Sequence, residues 1–178
     1  MYRRVSVVGT SGVGKSTFAR ALAERLDVPH IELDELHWGP DWTAAPAPEF
    51  RAVVRARLDG PEWVIDGNYQ SKLGRMVWEH ADTVVWLDPP RWLTMWRLTR
   101  RTAGRVFGRQ TLWNGNRESL AVFKIWKGEE SVLWWSWVTF ARNRERYLSA
   151  MSDPALDGLA FHRLRTRRDV GAFLKQAG

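Results

Sequence analysis

Apolar positions along this chain follow two rhythms. Short unbroken runs at Val5–Gly9, Trp63–Asp66, Thr83–Asp88 and Leu159–Leu164, with a weaker one at Pro29–Asp34, have the character of strands covered on both faces. Between them the spacing changes to i, i+3, i+4. Lys15–Leu26 sets Phe18, Ala19, Leu22, Ala23 and Leu26 on one face, and Pro48–Leu58 does the same with Phe50, Val53, Val54 and Leu58. Gln70–His80 is a weaker helical segment. Pro90–Arg101 begins with proline in the first turn, where the missing N–H costs nothing. Thr166 and Asp169 form a capping-box pattern that opens a last helix over Arg167–Gln176. Strands alternating with helices predict a doubly wound α/β sheet.

Residues 104–150 break the alternation. They hold Gly104, Gly108, Gly115 and Gly128, many arginines and five of the twelve tryptophans. The pattern predicts a mobile insert over 104–118 followed by a helical region. In its second half Leu133, Trp134, Trp137, Phe140/Ala141, Tyr147/Leu148 and Met151 share one stripe, which reads as core. Trp135 lies off the stripe and is expected to be exposed, or to meet a ligand or partner.

Composition narrows the class. A chain of 178 residues with 44% hydrophobic content suits one α/β domain spanning 1–178, with 104–150 as its lid and helical insert. The absence of cysteine excludes disulfides and thiolate metal sites. The first apolar stretch is only a strand, which leaves no room for a signal peptide, and the longest mostly apolar run, Val132 to Ala141, is far short of a membrane span of ~20 residues. A cytoplasmic protein is expected. Lys and Arg outnumber Asp and Glu by 27 to 20, with Arg clustered at 91–109 and 142–168, a balance that attracts phosphates or nucleic acid.

The sharpest chemistry lies in Gly9-Thr10-Ser11-Gly12-Val13-Gly14-Lys15-Ser16, followed by Thr17. It is a G-x-x-x-x-G-K-[ST] loop placed between an apolar strand and an amphipathic helix. Glycines let backbone N–H groups turn inward around phosphates, and the helix N-terminus adds partial positive charge. Lys15 is expected on the β- and γ-phosphates and Ser16 on Mg²⁺. The missing Asn-Lys-x-Asp guanine-reading segment makes ATP the expected nucleotide. Of two strand-end carboxylates, Asp66 is the expected second metal ligand, because Gly67 and Asn68 follow it. Asp88 precedes Pro89-Pro90 and more naturally shapes a turn.

Glu32 and Asp34, two apart at the end of the second predicted strand, would point the same way toward the ligand crevice. Asp34 there could orient or deprotonate an acceptor hydroxyl, or simply cap a helix. Arg97 and Arg101 share a helical face and are placed to stabilise a transferring phosphoryl group, with Arg100, Arg105 and Arg109 as further candidates. The four histidines show no metal-ligand spacing.

Taken in order, the phosphate loop, Leu33-Asp34-Glu35-Leu36-His37-Trp38, Ile65-Asp66-Gly67-Asn68-Tyr69 and Leu87-Asp88-Pro89-Pro90-Arg91-Trp92 resemble the P-loop kinase group of adenylate and shikimate kinases, most of all the branch labelled DNA topology modulation protein, or FlaR-like. The resemblance implies a three-layer αβα fold with a five-stranded parallel sheet of order 2-3-1-4-5 and a lid. It implies that Arg97 and Arg101 contact ATP and its transferring phosphate, that Arg165 and Thr166 lie by the adenine, and that Asp34 holds the acceptor. Trp38, Asn68 and Tyr69 would complete the acceptor pocket. The arginine pattern by which adenylate kinases grip a nucleoside monophosphate is missing, with Arg75 as a possible substitute, and Trp113-Asn114-Gly115-Asn116-Arg117-Glu118 has no adenylate kinase counterpart. Two functions follow as expectations. One is an ATP-dependent kinase acting on a nucleotide or small hydroxylated acceptor. The other is a nucleotide-dependent regulator or nucleic-acid-binding protein, which the lack of any nucleic-acid-binding motif makes second choice.

Overall fold

The computed structural model describes residues 2–107, 113–116 and 132–177 of the chain. Five parallel strands, β1 (Arg4–Val8), β2 (His30–Glu32), β3 (Trp63–Asp66), β4 (Thr83–Leu87) and β5 (Ala160–Leu164), form one sheet of order β2-β3-β1-β4-β5. This is the expected order. The inner strands β1, β3 and β4 are nearly continuous in buried side chains because helices cover both faces, whereas the edge strands β2 and β5 mix in His30, Glu32, His162 and Arg163. One face packs Val5, Val7, Val64, Val85 and Leu87 against α1 (Lys15–Leu26) and α8 (Arg167–Ala177). The other packs Val8, Ile31, Ile65, Val84 and Trp86 against α3 (Ala47–Leu58), α4 (Gln70–Leu73), α5 (Met76–His80) and α7 (Val132–Met151). A further helix, α6 (Arg91–Phe107), follows β4. None of the described helices is long and apolar enough to cross a membrane.

Local chemistry sets the helix ends. Helix α1 starts after Gly14 in the left-handed region, and Asp27, also left-handed, closes it by donating its N–H to Ala23 O. The capping box of α8 forms as expected: Thr166 Oγ1 accepts from the Asp169 N–H at 3.1 Å, and Asp169 Oδ2 accepts from the Thr166 N–H at 2.9 Å. The predicted helix over 70–80 is divided, because Gly74 takes φ 60° and separates α4 from α5.

Two expectations are corrected. Strand β2 stops at Glu32, and Leu33–His37 form a short helix, α2. Glu32 and Asp34 therefore do not alternate along one strand; Asp34 sits in the first helical turn. The aromatic stripe read as core in α7 is largely outside: Trp134, Trp137, Leu148 and Met151 are exposed, together with the off-stripe Trp135. The buried positions are Ser136, Thr139, Tyr147 and Ala150. Helix α6 repeats this inversion, burying Thr94, Leu98 and Thr102 while Trp92 is 71% exposed. The reason is close approach to the phosphate loop, where Leu98 and Thr94 lie directly against Gly12. Indoles do not fit such a seam. Buried Thr94 and Thr139 satisfy their hydroxyls on carbonyls one turn back, at Pro90 and Trp135. The expected insert lies outside the described residues at 108–112 and 117–131, Gly108, Arg109 and Gly128 included.

Candidate functional site

The phosphate loop leaves the end of β1 at the centre of the sheet. Gly9, Gly12 and Gly14 all have positive φ, at 145°, 89° and 100°. At Gly12 a Cβ would stand 2.7 Å from Leu98 Cβ and 3.0 Å from Thr94 O, so only glycine lets α6 press on the loop. Three side chains hold the loop from outside. Arg97 donates to Val13 O at 3.3 Å, Ser136 of α7 donates to Ser11 O at 3.2 Å, and Asn68 donates to Gly9 O while accepting from the Gly9 N–H. Buried Tyr147 donates to Asn68 Oδ1 at 2.9 Å and so completes this last contact.

Lys15 Nζ rests against Thr10 O at 3.3 Å. Desolvation holds its ammonium below the ordinary lysine value, Arg101 adds to the lowering, and Asp34, Asp66 and Glu32 oppose it. Three carboxylates and an arginine from four separate elements thus act on one ammonium, the convergence expected at the carboxyl ends of a parallel sheet. Sheet register sets Asp66 between Val7 and Glu32. Asp66 is 3% exposed, and its Oδ2 has no hydrogen-bond partner. His30 Nε2 lies 3.8 Å from it.

An orphaned buried carboxylate oxygen fits a cation, since leaving it unpaired is costly. Among the described residues no three His, Cys, Asp or Glu converge into an all-protein cage. A divalent ion here would take one carboxylate, the Ser16 hydroxyl, waters and phosphate oxygens, which is the habit of Mg²⁺. Asp88, the other strand-end carboxylate, is committed elsewhere: Arg163 binds it through Nε at 2.9 Å and through a second nitrogen, and Arg144 lies at 3.4 Å.

On the opposite side Tyr69 donates to Asp34 Oδ1 at 2.7 Å. Burial first, and then the Asp34 charge, push the Tyr69 phenol above its ordinary value, so it remains a donor. His37, 2% exposed, accepts from Lys72 Nζ at 3.0 Å. Burial and the Lys72 charge hold His37 below the usual histidine value, which keeps it neutral. Its ring meets Trp38, Tyr69 and Phe50 at centroid distances of 4.7, 4.7 and 4.9 Å. Rings continue from Trp38 to Trp42 at 5.7 Å and on to Trp113 at 6.4 Å. The 113–116 segment, which had no assignable counterpart in sequence, is bonded to this wall. Asn114 donates to Trp38 O, buried Asn116 donates to Gly39 O at 2.8 Å, and Asn116 Oδ1 accepts from the Trp42 N–H at 2.9 Å.

The remaining arginines divide. Arg105 stacks over Trp113 at 5.9 Å and Arg100 over Trp96 at 5.5 Å. Arg75, the possible phosphate grip, is instead paired with Asp153 at 2.8 Å. Arg165 lines a cleft of about 830 Å³ shared with Pro89, Pro90, Arg91, Phe140 and Arg144. Sequence reading did not single out Ser136, His37 or Asn116. The first was hidden by its small size between tryptophans, the second by lacking metal spacing, and the third by residing in an unassigned segment.

Comparisons with known proteins agree with this architecture. No protein-family model matches the chain. Over 129 residues, 71% of this chain and 71% of the other, it is 30% identical to the uncharacterized protein YqaC of Bacillus subtilis (strain 168). Its fold is similar to a gluconokinase from Sinorhizobium meliloti 1021, with 20% identity, a TM-score of 0.52 and coverage of 98% of this chain and 92% of that one. It is also similar to a shikimate kinase from Bacteroides thetaiotaomicron, with 15% identity, a TM-score of 0.56 and coverage of 99% and 96%.

Proposed function

This chain belongs to the family of Bacillus subtilis YqaC and has the fold of P-loop kinases, and from that premise we propose that it transfers the γ-phosphoryl group of Mg-ATP to a small hydroxylated acceptor. The observation that carries the reading is Lys15. Its ammonium rests in the phosphate loop at 3.3 Å from Thr10 O, where the charges of Asp34, Asp66, Glu32 and Arg101 act on it, which supports a site serving both donor and acceptor.

In this reading backbone N–H groups of Gly9 to Thr17 hold the phosphates, and Lys15 bridges the β- and γ-phosphate oxygens. Ser16 and Asp66 hold the metal. Bound there, Mg²⁺ would supply positive charge to offset that of the phosphates. Arg101 and Arg97 add positive charge where it develops in the transition state, and Arg97 also ties α6 to the loop through Val13. Arg165 is assigned to the nucleotide base side. Asp34, oriented by Tyr69, accepts the proton of the attacking hydroxyl, and Trp38 and Tyr69 line the acceptor pocket. Asn68, assigned to that pocket by its position in the sequence, faces Gly9 with both amide atoms and acts on the acceptor side only through the loop.

The test is ATP γ-phosphoryl transfer across a panel of nucleoside monophosphates, small hydroxylated metabolites, amino sugars and 5′-hydroxyl oligonucleotides, with Lys15→Ala as control. Acceptor-dependent transfer that vanishes in the variant is expected. ATP binding without transfer to any acceptor would refute the kinase assignment.

A further inference from the structure

The cleft lined by Arg165 contains no residue of the phosphate loop and none of the acceptor side. Its volume of about 830 Å³ is of the order that holds a small molecule. Three parts of the chain meet at it: the 88–91 turn, the middle of α7 and the residue after β5. Five charged side chains line it, Asp88 and Glu145 against Arg91, Arg144 and Arg165. Asp88 is already answered, by Arg163 through two nitrogens and by Arg144 at 3.4 Å. Counting Arg163, four guanidiniums stand against two carboxylates, and Glu145 has no ion pair among the described residues.

The second observation is how little of these guanidiniums the protein uses. Each offers five N–H donors. Arg91 gives one to Trp137 O at 2.7 Å; its central carbon lies 3.5 Å from the centre of the Trp137 ring, and its Nε is buried with no partner. Arg144 makes no hydrogen bond among the described residues beyond its ion pair with Asp88. Arg165 bonds Asp169 through its backbone N–H, and its side chain acts there only through charge. Guanidiniums gathered on one cavity repel each other until an anion joins them, and their forked donors match phosphate oxygens. Pro89, Pro90, Phe140 and Leu148 add apolar lining, while Glu145 and Ser149 offer partners to hydroxyl groups.

We propose that this cleft is a second anion site, which takes a phosphate monoester of small-molecule size. Arg91, Arg144 and Arg165 hold the phosphate, and the body of the ester lies against the apolar lining with its hydroxyls toward Glu145. A tetrahedral dianion has an oxygen for each of three guanidiniums, where a carboxylate has two oxygens and one charge. Of the lining residues only Arg165 has a place in the kinase reading, so the ester is an occupant beside the substrates and not one of them.

The experiment is calorimetry on the full-length chain, alone and again with Mg²⁺ and a non-hydrolysable ATP analogue in excess. Glucose 6-phosphate and AMP are titrated, with glucose and adenosine as their uncharged counterparts. With the analogue present a single equivalent of ester is expected to bind, at least about tenfold more tightly than its counterpart. Arg144→Gln removes one guanidinium and leaves Asp88 its bonds to Arg163. Ala141→Trp fills the cleft from an exposed position on α7, so each variant stands in if the other fails to fold. Both are expected to weaken the ester about tenfold. Ester binding that disappears when the analogue is added would place the ester in the donor site. Full affinity in both variants would place it on the acceptor side. Either result overturns the inference, as does equal binding of the uncharged counterparts or no ester binding at all. None of these outcomes bears on whether the chain transfers phosphate.

Discussion

Asn68 grips Gly9 by both of that residue's backbone groups, and Tyr147 donates to the same amide oxygen. The first residue of the phosphate loop is thereby fixed by the turn after β3 and by a helix more than a hundred residues downstream. Removing the amide in Asn68→Ala leaves Gly9 unbraced, and the ATP KM is expected to rise about tenfold, the scale of one lost buried hydrogen-bond pair. Asn68→Asp, which sets a carboxylate against Gly9 O, should be worse than alanine. An unchanged ATP KM with a raised acceptor KM in Asn68→Ala would return the residue to the acceptor wall. Nucleotide titrations of the two variants decide it.

Gly12 and Gly14 allow a controlled comparison. Both have positive φ, so alanine strains both backbones. At Gly12 the added Cβ also meets Leu98 and Thr94, whereas at Gly14 nothing stands within 4 Å. Gly12→Ala is expected to lose both ATP binding and about 1–3 kcal/mol of stability as α6 is pushed off the loop. Gly14→Ala should show the smaller loss. Equal thermal shifts for the two would show that α6 contact contributes nothing.

Asp66 and Asp88 end neighbouring runs of similar sequence and are expected to fail differently. Asp88→Asn breaks the arrangement with Arg163 and Arg144, so the midpoint of unfolding falls while the Mg²⁺ requirement is unchanged. Asp66→Asn changes an oxygen that has no hydrogen-bond partner, so stability is expected to hold while the Mg²⁺ concentration needed for half-maximal transfer rises. The reverse pattern would exchange their roles.

Stability should fall on mild acidification. Burial lowers the folded-state values of His37 and His162 from the ordinary 6.5, with Lys72 adding to the effect at His37. Below pH about 6.5 the unfolded chain takes up protons that the folded chain refuses, so the stabilisation is complete above that pH and is lost as pH drops through the folded values. Thermal unfolding at steps from pH 7.5 to 5 checks this. His37→Gln together with His162→Gln should flatten the slope in that window; an unaltered slope would assign it to carboxylates.

The α/β alternation and the phosphate loop were legible because each is written locally, whereas the strand order came only from the family resemblance. Continuous apolar runs, a glycine-rich turn and an i, i+3, i+4 helix lie side by side in the chain. The position of Asp66 at the end of a strand was legible too, with Gly67 following it. The α2 helix was not, because Leu33–His37 has no cap side chain and its first residue extends the apolar run of β2. The face of α7 was misread for a physical reason. Burial ordinarily follows hydrophobicity, but Ser136 and Thr139 are buried, Ser136 with its hydroxyl on Ser11 O of the phosphate loop and Thr139 with its hydroxyl on Trp135 O. The role of 113–116 depends on hydrogen bonds to backbone some 75 residues away, which no local pattern announces.

The strand order has a consequence for divergence. The phosphate loop springs from β1, the middle strand, whose amides are guarded by neighbours on both sides and should exchange most slowly with solvent. The ring cluster of His37, Trp38 and Trp42 follows β2 and the Arg165 cleft follows β5, the two margins of the sheet, where substitutions disturb the fewest neighbours. On the proposed function, donor chemistry is therefore anchored where change is least tolerated and recognition where it is most tolerated. A descendant of this scaffold can acquire a new acceptor by altering a margin while its centre stays as it is.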